Sequence, residues 1–316
     1  MTAPAAPTQP PVTDGRSARP RTPLLIIGGI VLLVVMVLLA IGKRHGTLTS
    51  PKAIVLGAVE GITEYLPVSS TGHLLVTQRL LGFTGDAGKV AADTYAIAIQ
   101  LGAILAVVAL YRQRIGQLFR GLVGRDEEGK QLLIRLIVAF LPAAAIGAAL
   151  DHKIKDHLFG PWPVVAAWAV GGAFLLWWKP KYGTGSLNSL TIKSAAIIGV
   201  AQSLALWPGV SRSLVTLVAA LLVGLEIGAA IEFSFLLGLA TLSAATALDL
   251  AKDGSKLLDA YGWRQPLLGA LVAFVTAIFA VRWLVGYLRT RPLVIFGWYR
   301  LFIAAVTVVL ILTNAI

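Results

Sequence analysis

Two acids four residues apart begin the part of this chain that could do chemistry. Glu60 and Glu64 would lie on one face of a helix, about one turn from each other, where their carboxylates repel unless a cation or a shared proton intervenes. The site is rich in oxygen ligands and the chain has no cysteine, so a hard ion, Mg²⁺ or Ca²⁺, is the expected partner. The alternative is a buried acid pair that an arginine alone satisfies.

Hydroxyl side chains and a histidine follow the acids directly. In the run Pro67-Val-Ser-Ser-Thr-Gly-His73 a second helix is expected to start, and its N-terminus would offer backbone N–H groups to an anion, with Ser69 and Thr71 as further contacts. Ser70 is the candidate nucleophile, and phosphate binding is the alternative role for its hydroxyl. His73 suits general acid or base catalysis, or alternatively caps and orients the neighbouring backbone.

A second polar interruption supplies the cation that the first one lacks. The segment 207–216, WPGVSRSLVT, places Arg212 deep in an apolar stretch, where a charged side chain is costly and usually functional. Its planar guanidinium suits bidentate phosphate binding and stabilises charge that develops during phosphoryl transfer. The hydroxyls of Ser211, Ser213 and Thr216 are further candidate contacts. Acids, hydroxyls, histidine and arginine together indicate phosphate chemistry.

The elements that must hold these residues are membrane helices. Of the 316 residues 57% are hydrophobic and 13% are charged, whereas a soluble domain carries about 25% charged residues. Seven apolar runs approach the length of about 20 residues that a bilayer crossing needs. They are 24–41, 95–110, 132–150, 163–178, 229–248, 266–287 and 294–312.

Two further apolar segments, 53–81 and 194–225, are broken near the middle by Pro, Gly and polar residues. We interpret both as re-entrant helix-loop-helix hairpins. At an offset of 142 residues the two segments align weakly, with Gly57 matching Gly199. The predicted fold is therefore an all-α polytopic membrane protein with inverted repeats, in which two broken helices meet near the midplane.

Composition divides the chain into three parts. Residues 1–23 are predicted to form a disordered cytoplasmic tail, 24–42 an extra N-terminal transmembrane helix, and 52–316 the polytopic membrane domain. Lys and Arg gather in short connections such as 112–135 and 289–291, which places these connections in the cytoplasm. Crossing parity then makes the two hairpins enter from opposite faces. The net charge of +12 comes from such loops, so no nucleic-acid partner is expected.

At these motifs the chain resembles the undecaprenyl-diphosphate phosphatases of the bacitracin-resistance type. The resemblance runs from about residue 52 to the last helix, and it includes the acid pair, PVSSTGH at 67–73 and PGVSRS at 208–213. It implies an enzyme of the bacterial inner membrane that uses Mg²⁺ or Ca²⁺ to remove the terminal phosphate of undecaprenyl diphosphate at a site open to the periplasm. The product, undecaprenyl phosphate, would re-enter peptidoglycan synthesis.

By motif position the resemblance implies two groups of functional residues. The catalytic group is Glu60, Glu64, Ser70, His73 and Arg212, with Glu60 and Glu64 as metal ligands. The substrate-binding group is Ser69, Thr71, Ser211, Ser213 and Thr216. The chain departs from the family pattern at Ala96, at Leu214 and at Glu226 with Ile227, and these departures bear on rate, metal affinity and substrate preference.

Two other functions compete with this interpretation. A polyprenyl-phosphate transporter or flippase is the main alternative, because inverted repeats with broken helices are a transporter architecture. Such a protein needs Arg212 but neither a nucleophile nor a metal. A phosphatase of the phosphatidic-acid type is excluded, since Val218 stands where that signature requires a histidine. The expected partners are a polyprenyl diphosphate and membrane lipids, and a homodimer is one hypothesis for the assembly.

Overall fold

The computed structural model describes residues 48–83, 85–180 and 182–316. Within these residues the chain forms eleven α-helices and no β-strand of more than an isolated bridge. The helices are α1 (Ser50–Thr63), α2 (Ser70–Leu80), α3 (Gly85–Leu110), α4 (Arg112–Leu122), α5 (Glu127–Leu158), α6 (Pro161–Trp177), α7 (Ile192–Gln202), α8 (Arg212–Leu222), α9 (Ile227–Tyr261), α10 (Arg264–Leu288) and α11 (Val294–Leu312). The predicted tail at 1–23 and the predicted helix at 24–42 lie outside the described residues.

Four helices of the described residues are long and apolar enough to cross a bilayer. They are α10, α11, the Glu127–Leu150 part of α5 and the Ile227–Lys252 part of α9. The segment Thr94–Leu110 and α4 pass the same test together but are bent by 83° where they join, so they count as one further, broken span. The chain is therefore an all-α polytopic membrane protein, as its composition predicts.

The connection 112–135 differs from the expected loop, because most of it is helical. Helix α4 occupies its first part, and α5 begins after Asp126, whose side chain accepts a hydrogen bond from the Gly129 N–H at 2.8 Å. Helix α4 combines arginines with exposed Phe119 and Leu122. This composition is typical of a helix that lies in the membrane interface, where apolar side chains enter the lipid and basic ones stay in water.

Helices α1 and α2 form the first broken segment. After α1 ends at Thr63, the chain passes through Pro67 before α2 starts at Ser70. Ser69 has a φ of 73°, a left-handed conformation that non-glycine residues seldom adopt, and its Oγ accepts a hydrogen bond from the Gly72 N–H at 3.4 Å. The predicted helix start after the proline is confirmed.

Helices α7 and α8 form the second broken segment on the same plan. Helix α7 continues into a 3₁₀ turn, Ser203–Leu206, and Gly209, with a φ of 94°, turns the chain before α8. Ser211 caps α8 by accepting a hydrogen bond from the Leu214 N–H at 3.2 Å. Helices α1 and α7 start 142 residues apart, and so do α2 and α8. The structure thus has the correspondence that the weak sequence alignment indicates.

The first helix of each broken segment packs on a long helix from the other part of the chain. Helix α1 packs along α10, and its counterpart α7 packs along α5. Glycine permits both contacts, since a Cβ at Gly57 would overlap the backbone of Gly269, and a Cβ at Gly199 would overlap the backbone of Ala139. Helix α3 packs on α9 and α6 packs on α11, so each pair joins a helix that precedes α7 to a helix that follows it. Re-entry of the two broken segments, and their entry from opposite membrane faces, stay predictions.

Candidate active site

Glu64 joins the two broken segments at the centre of the candidate site. Its Oε1 accepts a hydrogen bond from Nη2 of Arg212 at 2.9 Å, and its Oε2 accepts one from the hydroxyl of Ser70. Ser70 and Arg212 are the first residues of α2 and α8, respectively. The Glu64 side chain is 6% exposed and that of Arg212 14% exposed, so this ion pair is largely screened from water.

Glu60 lies one turn before Glu64 on α1 and has a different environment. It is 2% exposed, and its Oε2 has no hydrogen-bond partner among the described residues. A buried carboxylate oxygen without a partner is costly. Arg212 therefore bonds to Glu64 and leaves this oxygen of Glu60 without a partner among the described residues.

The donor set at the acid pair fits a hard ion that substrate oxygens complete. No group of three or more Asp, Glu, His and Cys side chains comes together in the described residues, so the protein offers no complete metal cage there. Mg²⁺ is commonly held by one or two carboxylates together with substrate phosphates and water. Glu60 and Glu64 supply such a pair of carboxylates.

Arg212 has a donor to spare, and a glycine makes room for it. Its Nη1 is buried and has no hydrogen-bond partner in the described part of the chain. The guanidinium lies against Gly238 of α9, where an added Cβ would overlap Nη1. Sequence reasoning missed Gly238, because a lone glycine in an apolar helix gives no signal of the arginine it accommodates.

The hydroxyls of the second segment tie it to the first. Ser213 donates a hydrogen bond to the carbonyl oxygen of Leu66 at 2.8 Å, Ser211 lies 3.4 Å from the same oxygen, and the two hydroxyls are 2.9 Å apart. Leu66 belongs to the break between α1 and α2. Both serines are buried, so their first role is to hold the two breaks together.

The remaining predicted phosphate contacts fall in different surroundings. Thr216 is fully buried and lies 2.5 Å from the hydroxyl of Ser234, while it also bonds the backbone of its own helix. Ser69 caps α2, and Thr71 is exposed beside it. The substrate-binding roles of these side chains stay predictions.

His73 is held from both sides of its ring. Its Nδ1 lies 2.6 Å from the carbonyl oxygen of Ser69 and its Nε2 lies 2.8 Å from the hydroxyl of Tyr299, whose ring stacks on it. A carbonyl can only accept, so Nδ1 carries a proton and Nε2 of the neutral ring accepts from Tyr299. These contacts do not include Ser70. The tyrosine, from α11, was another residue that sequence reasoning missed.

Arg300, also from α11, connects three segments around the site. It is 1% exposed, and its Nη2 donates to the carbonyl oxygens of Ala167 at 2.9 Å and Gly209 at 3.0 Å, while Nη1 donates to that of Pro67 at 3.4 Å. One guanidinium thus bonds to both breaks and to α6. A lone arginine in the apolar run 294–312 was the available signal for such a role.

Comparison with known proteins places this architecture in a family. Residues 53–306 match the family described as bacitracin resistance protein BacA. The chain belongs to this family. The matched region contains all the residues of the candidate site, from the acid pair to Arg300.

Individual relatives agree with the family match. The chain is 45% identical over 260 residues to an undecaprenyl-diphosphatase of Sorangium cellulosum, which covers 80% of this chain and 83% of the relative. It is 42% identical over 253 residues to undecaprenyl-diphosphatase 2 of Rhodospirillum rubrum and equally to an undecaprenyl-diphosphatase of Dechloromonas aromatica, with 79% of this chain and 90% of each relative covered.

The positions expected to depart from the family pattern lie in different surroundings. Ala96 packs against an apolar cluster that includes Tyr95 and Phe83. Leu214 is buried, and its contribution to the cap of α8 is a backbone N–H, which most residue types could supply. Glu226 is exposed just before α9, and its N–H donates to the carbonyl oxygen of Gly185 at 2.9 Å.

Proposed function

We propose that this chain hydrolyses undecaprenyl diphosphate to undecaprenyl phosphate and inorganic phosphate. The observation that carries the proposal is the arrangement of Ser70, Glu64 and Arg212, in which one carboxylate, the candidate base, bonds both a hydroxyl and a cation suited to phosphate. Membership of the family and the names of the relatives support the choice of substrate.

The first step assigned to this geometry is attack by Ser70. Its oxygen bonds to the terminal phosphorus while its proton passes to Glu64, and the bond from that phosphorus to the bridging oxygen breaks. Undecaprenyl phosphate leaves with the electron pair, and water then hydrolyses the phosphoserine to release phosphate and restore the hydroxyl. In the alternative route Glu64 activates water directly, and Ser70 only binds the phosphate.

Charge on the phosphoryl group is stabilised by Arg212 and by two helix N-termini. Nη1 of Arg212 has no partner in the described residues and is available to a phosphate oxygen, while Nη2 stays on Glu64. Helices α2 and α8 begin at the site, so their positive dipole ends favour an anion there. The arginine and the dipoles act on the same group from two broken segments.

Mg²⁺ or Ca²⁺ is the cofactor we propose for the acid pair. Glu60 and Glu64 would hold the ion, which would neutralise phosphate charge and make the terminal phosphorus easier to attack. His73 holds the carbonyl of Ser69 and with it the first turn of α2. A direct role of His73 as general acid requires Nε2 to exchange the Tyr299 hydroxyl for the substrate.

We place the protein in the bacterial inner membrane with its site open to the periplasm. Basic connections support this orientation, because Tyr111, at the start of the 112–135 connection, and Arg289 line one cleft and so share one end of the molecule. Such an end faces the cytoplasm by the positive-inside rule. Assembly as a homodimer stays a prediction.

Purified full-length protein in detergent tests the function. We expect phosphate release from undecaprenyl diphosphate with Mg²⁺ or Ca²⁺, and little release in excess EDTA. Full activity in EDTA would contradict the metal assignment while leaving hydrolysis intact. Binding and transbilayer movement of polyprenyl phosphate with no phosphate release would instead favour the transporter, which has no need of the Ser70 and Glu64 pair.

A further inference from the structure

A second basic site lies away from Glu64, where α3 and α10 end. A cleft of about 320 Å³ opens there between the two helices. Its lining consists of Leu110, Tyr111, Val281, Arg282, Val285, Gly286 and Arg289. It shares no residue with the candidate active site, so the proposed hydrolysis does not account for it.

The basic residues of this cleft lie on one face of α10. Arg282, Gly286 and Arg289 follow one another at intervals of four and three residues, which puts them in line on a helix. The two arginines are separated by roughly 10 Å along the axis, at 1.5 Å per residue. An added Cβ at Gly286 would meet nothing within 4 Å, so the space between the arginines is open.

Among the residues that the structure describes, no acid pairs with either of these two cations. Arg282 and Arg289 are both exposed, and neither forms an ion pair or hydrogen bond with any other residue that the structure describes. At the same end of the molecule Arg114 is paired with Glu232 at 2.6 Å, so that acid is already used. Arg282 lies in the last two turns of α10, at an end of the helix where a long cationic side chain can reach the membrane interface and the lipid headgroups there.

We infer that this cleft binds the phosphate of a membrane lipid. The guanidinium groups of Arg282 and Arg289 would contact the phosphate, and Leu110, Val281 and Val285 would contact the hydrocarbon next to it. Apolar walls beside two cations match an anionic lipid better than a free anion, which would use the cations alone. Two lipids carry this chemistry, an anionic phospholipid of the surrounding leaflet and the polyprenyl phosphate that the enzyme produces.

Lipid binding to the purified full chain tests the inference. Thermal stabilisation and native mass spectrometry would be recorded with phosphatidylglycerol, phosphatidylcholine, undecaprenyl phosphate or inorganic phosphate added in detergent. We expect both anionic lipids, or one of them, to bind at least about tenfold more tightly than phosphatidylcholine. The anionic lipid that binds more tightly identifies which of the two lipids supplies the phosphate. If inorganic phosphate stabilised the protein as much as the anionic lipids do, the assignment to a lipid would be wrong.

Three variants distinguish binding in the cleft from a general electrostatic attraction of anionic lipid to the protein. Arg282→Gln with Arg289→Gln should weaken anionic-lipid binding by about tenfold or more, whereas Arg264→Gln with Arg291→Gln removes the same charge from exposed positions at the ends of α10 and should leave binding within about twofold. Gly286→Leu keeps both charges but fills the opening, and we expect it to weaken binding as well.

Phosphate release in detergent serves as the control for folding, since neither the cleft arginines nor Gly286 belong to the catalytic machinery. All these variants should retain it. Equal lipid binding by the two double variants, together with unchanged binding by Gly286→Leu, would show that no lipid site exists in the cleft. That result would leave the proposed hydrolysis untouched, and loss of hydrolysis alone would leave the lipid site untouched.

Discussion

The two broken segments share one backbone plan but carry opposite chemistry. Both have a helix, a turn and a second helix capped by a serine, with starts 142 residues apart. At the first position of the second helix, however, one segment has Ser70 and the other has Arg212. Both side chains donate to Glu64, each to a different oxygen of its carboxylate. A repeated backbone can thus bring two helix N-termini together and still form one asymmetric site.

The difference is also visible at the positions of the acids. The counterpart of Glu64 at the same offset is Leu206, and the counterpart of Glu60 is Gln202. Gln202 is 3% exposed, and neither polar atom of its amide has a hydrogen-bond partner among the described residues. In the second segment Gln202 has the shape of a glutamate without its charge, and Leu206 has neither. Both carboxylates of the site therefore come from the first segment.

The largest loss of activity is expected when Glu64, the carboxylate that contacts both broken segments, is neutralised. Glu64→Gln removes the base for Ser70 and the anion for Arg212 while keeping the shape of the side chain, and we expect phosphate release to fall about 1,000-fold. Glu226→Gln, the same chemical change at an exposed position, is the matched control and should be as active as the parent. Comparable rates for the two variants would remove Glu64 from the catalytic residues.

The cation of the second segment is tested by Arg212→Lys. Lysine keeps the charge but loses the planar fork, so one of the two contacts with Glu64 and phosphate is lost, and turnover should fall roughly 100-fold. Arg212→Ala should be slower still, and added guanidinium should restore part of its rate. Near-normal turnover of Arg212→Lys with a much lower melting temperature would instead make the arginine a structural partner of Glu64.

Gly238→Ala tests the position of the Arg212 guanidinium without changing Arg212 itself. The added methyl group would overlap Nη1, so the guanidinium must move, and we expect a loss of roughly tenfold in phosphate release. Gly254→Ala in the same helix is the control, because its Cβ would make ordinary contact with Leu250 at 3.8 Å. If both alanine variants keep full activity, the close approach of Arg212 to α9 has no bearing on catalysis.

The smallest effect is expected at the uncharged counterpart of Glu60. Gln202→Leu replaces a buried amide that lacks partners, so phosphate release should stay within about twofold and the stability should be unchanged or higher by about 1 kcal/mol. Rate and melting temperature measured together check this expectation. A large loss of activity at unchanged melting temperature would show that the second segment contributes a polar group to the reaction after all.

Features that depend on neighbours in the chain could be predicted from the sequence. The apolar runs from residue 95 onward, the two breaks and the helix start after Pro67 follow from length, proline and capping rules, and the structure has helices and breaks at these places. The bend at Tyr111 and helix α4 were missed, because a basic stretch outside an apolar run is typical of a loop. The helical form of α4 depends on its position at a surface that has water on only one side.

Contacts between distant parts of the chain could not be predicted. Tyr299 bonds His73 across 226 residues, and Arg300 bonds the breaks from the last helix. Gly238 matters only because Arg212 lies against it. Each of these partners is set by tertiary packing, which no local pattern encodes. The sequence therefore predicted which side chains could react, whereas the residues that hold them in place emerged only from the structure.

The contacts of Arg300 give the order of events during synthesis a particular importance. The ribosome delivers helices to the membrane from the N-terminus onward, so the acids, Ser70 and Arg212 are all inserted before α11 arrives. Only then do the carbonyls of Pro67, Ala167 and Gly209 acquire the guanidinium that links them. A nascent chain that still lacks its last helix has every reactive group and the bonds from Ser211 and Ser213 to Leu66, but it lacks the guanidinium that ties both breaks to α6. The last helix to be synthesised thus completes the hydrogen bonds that connect these three segments.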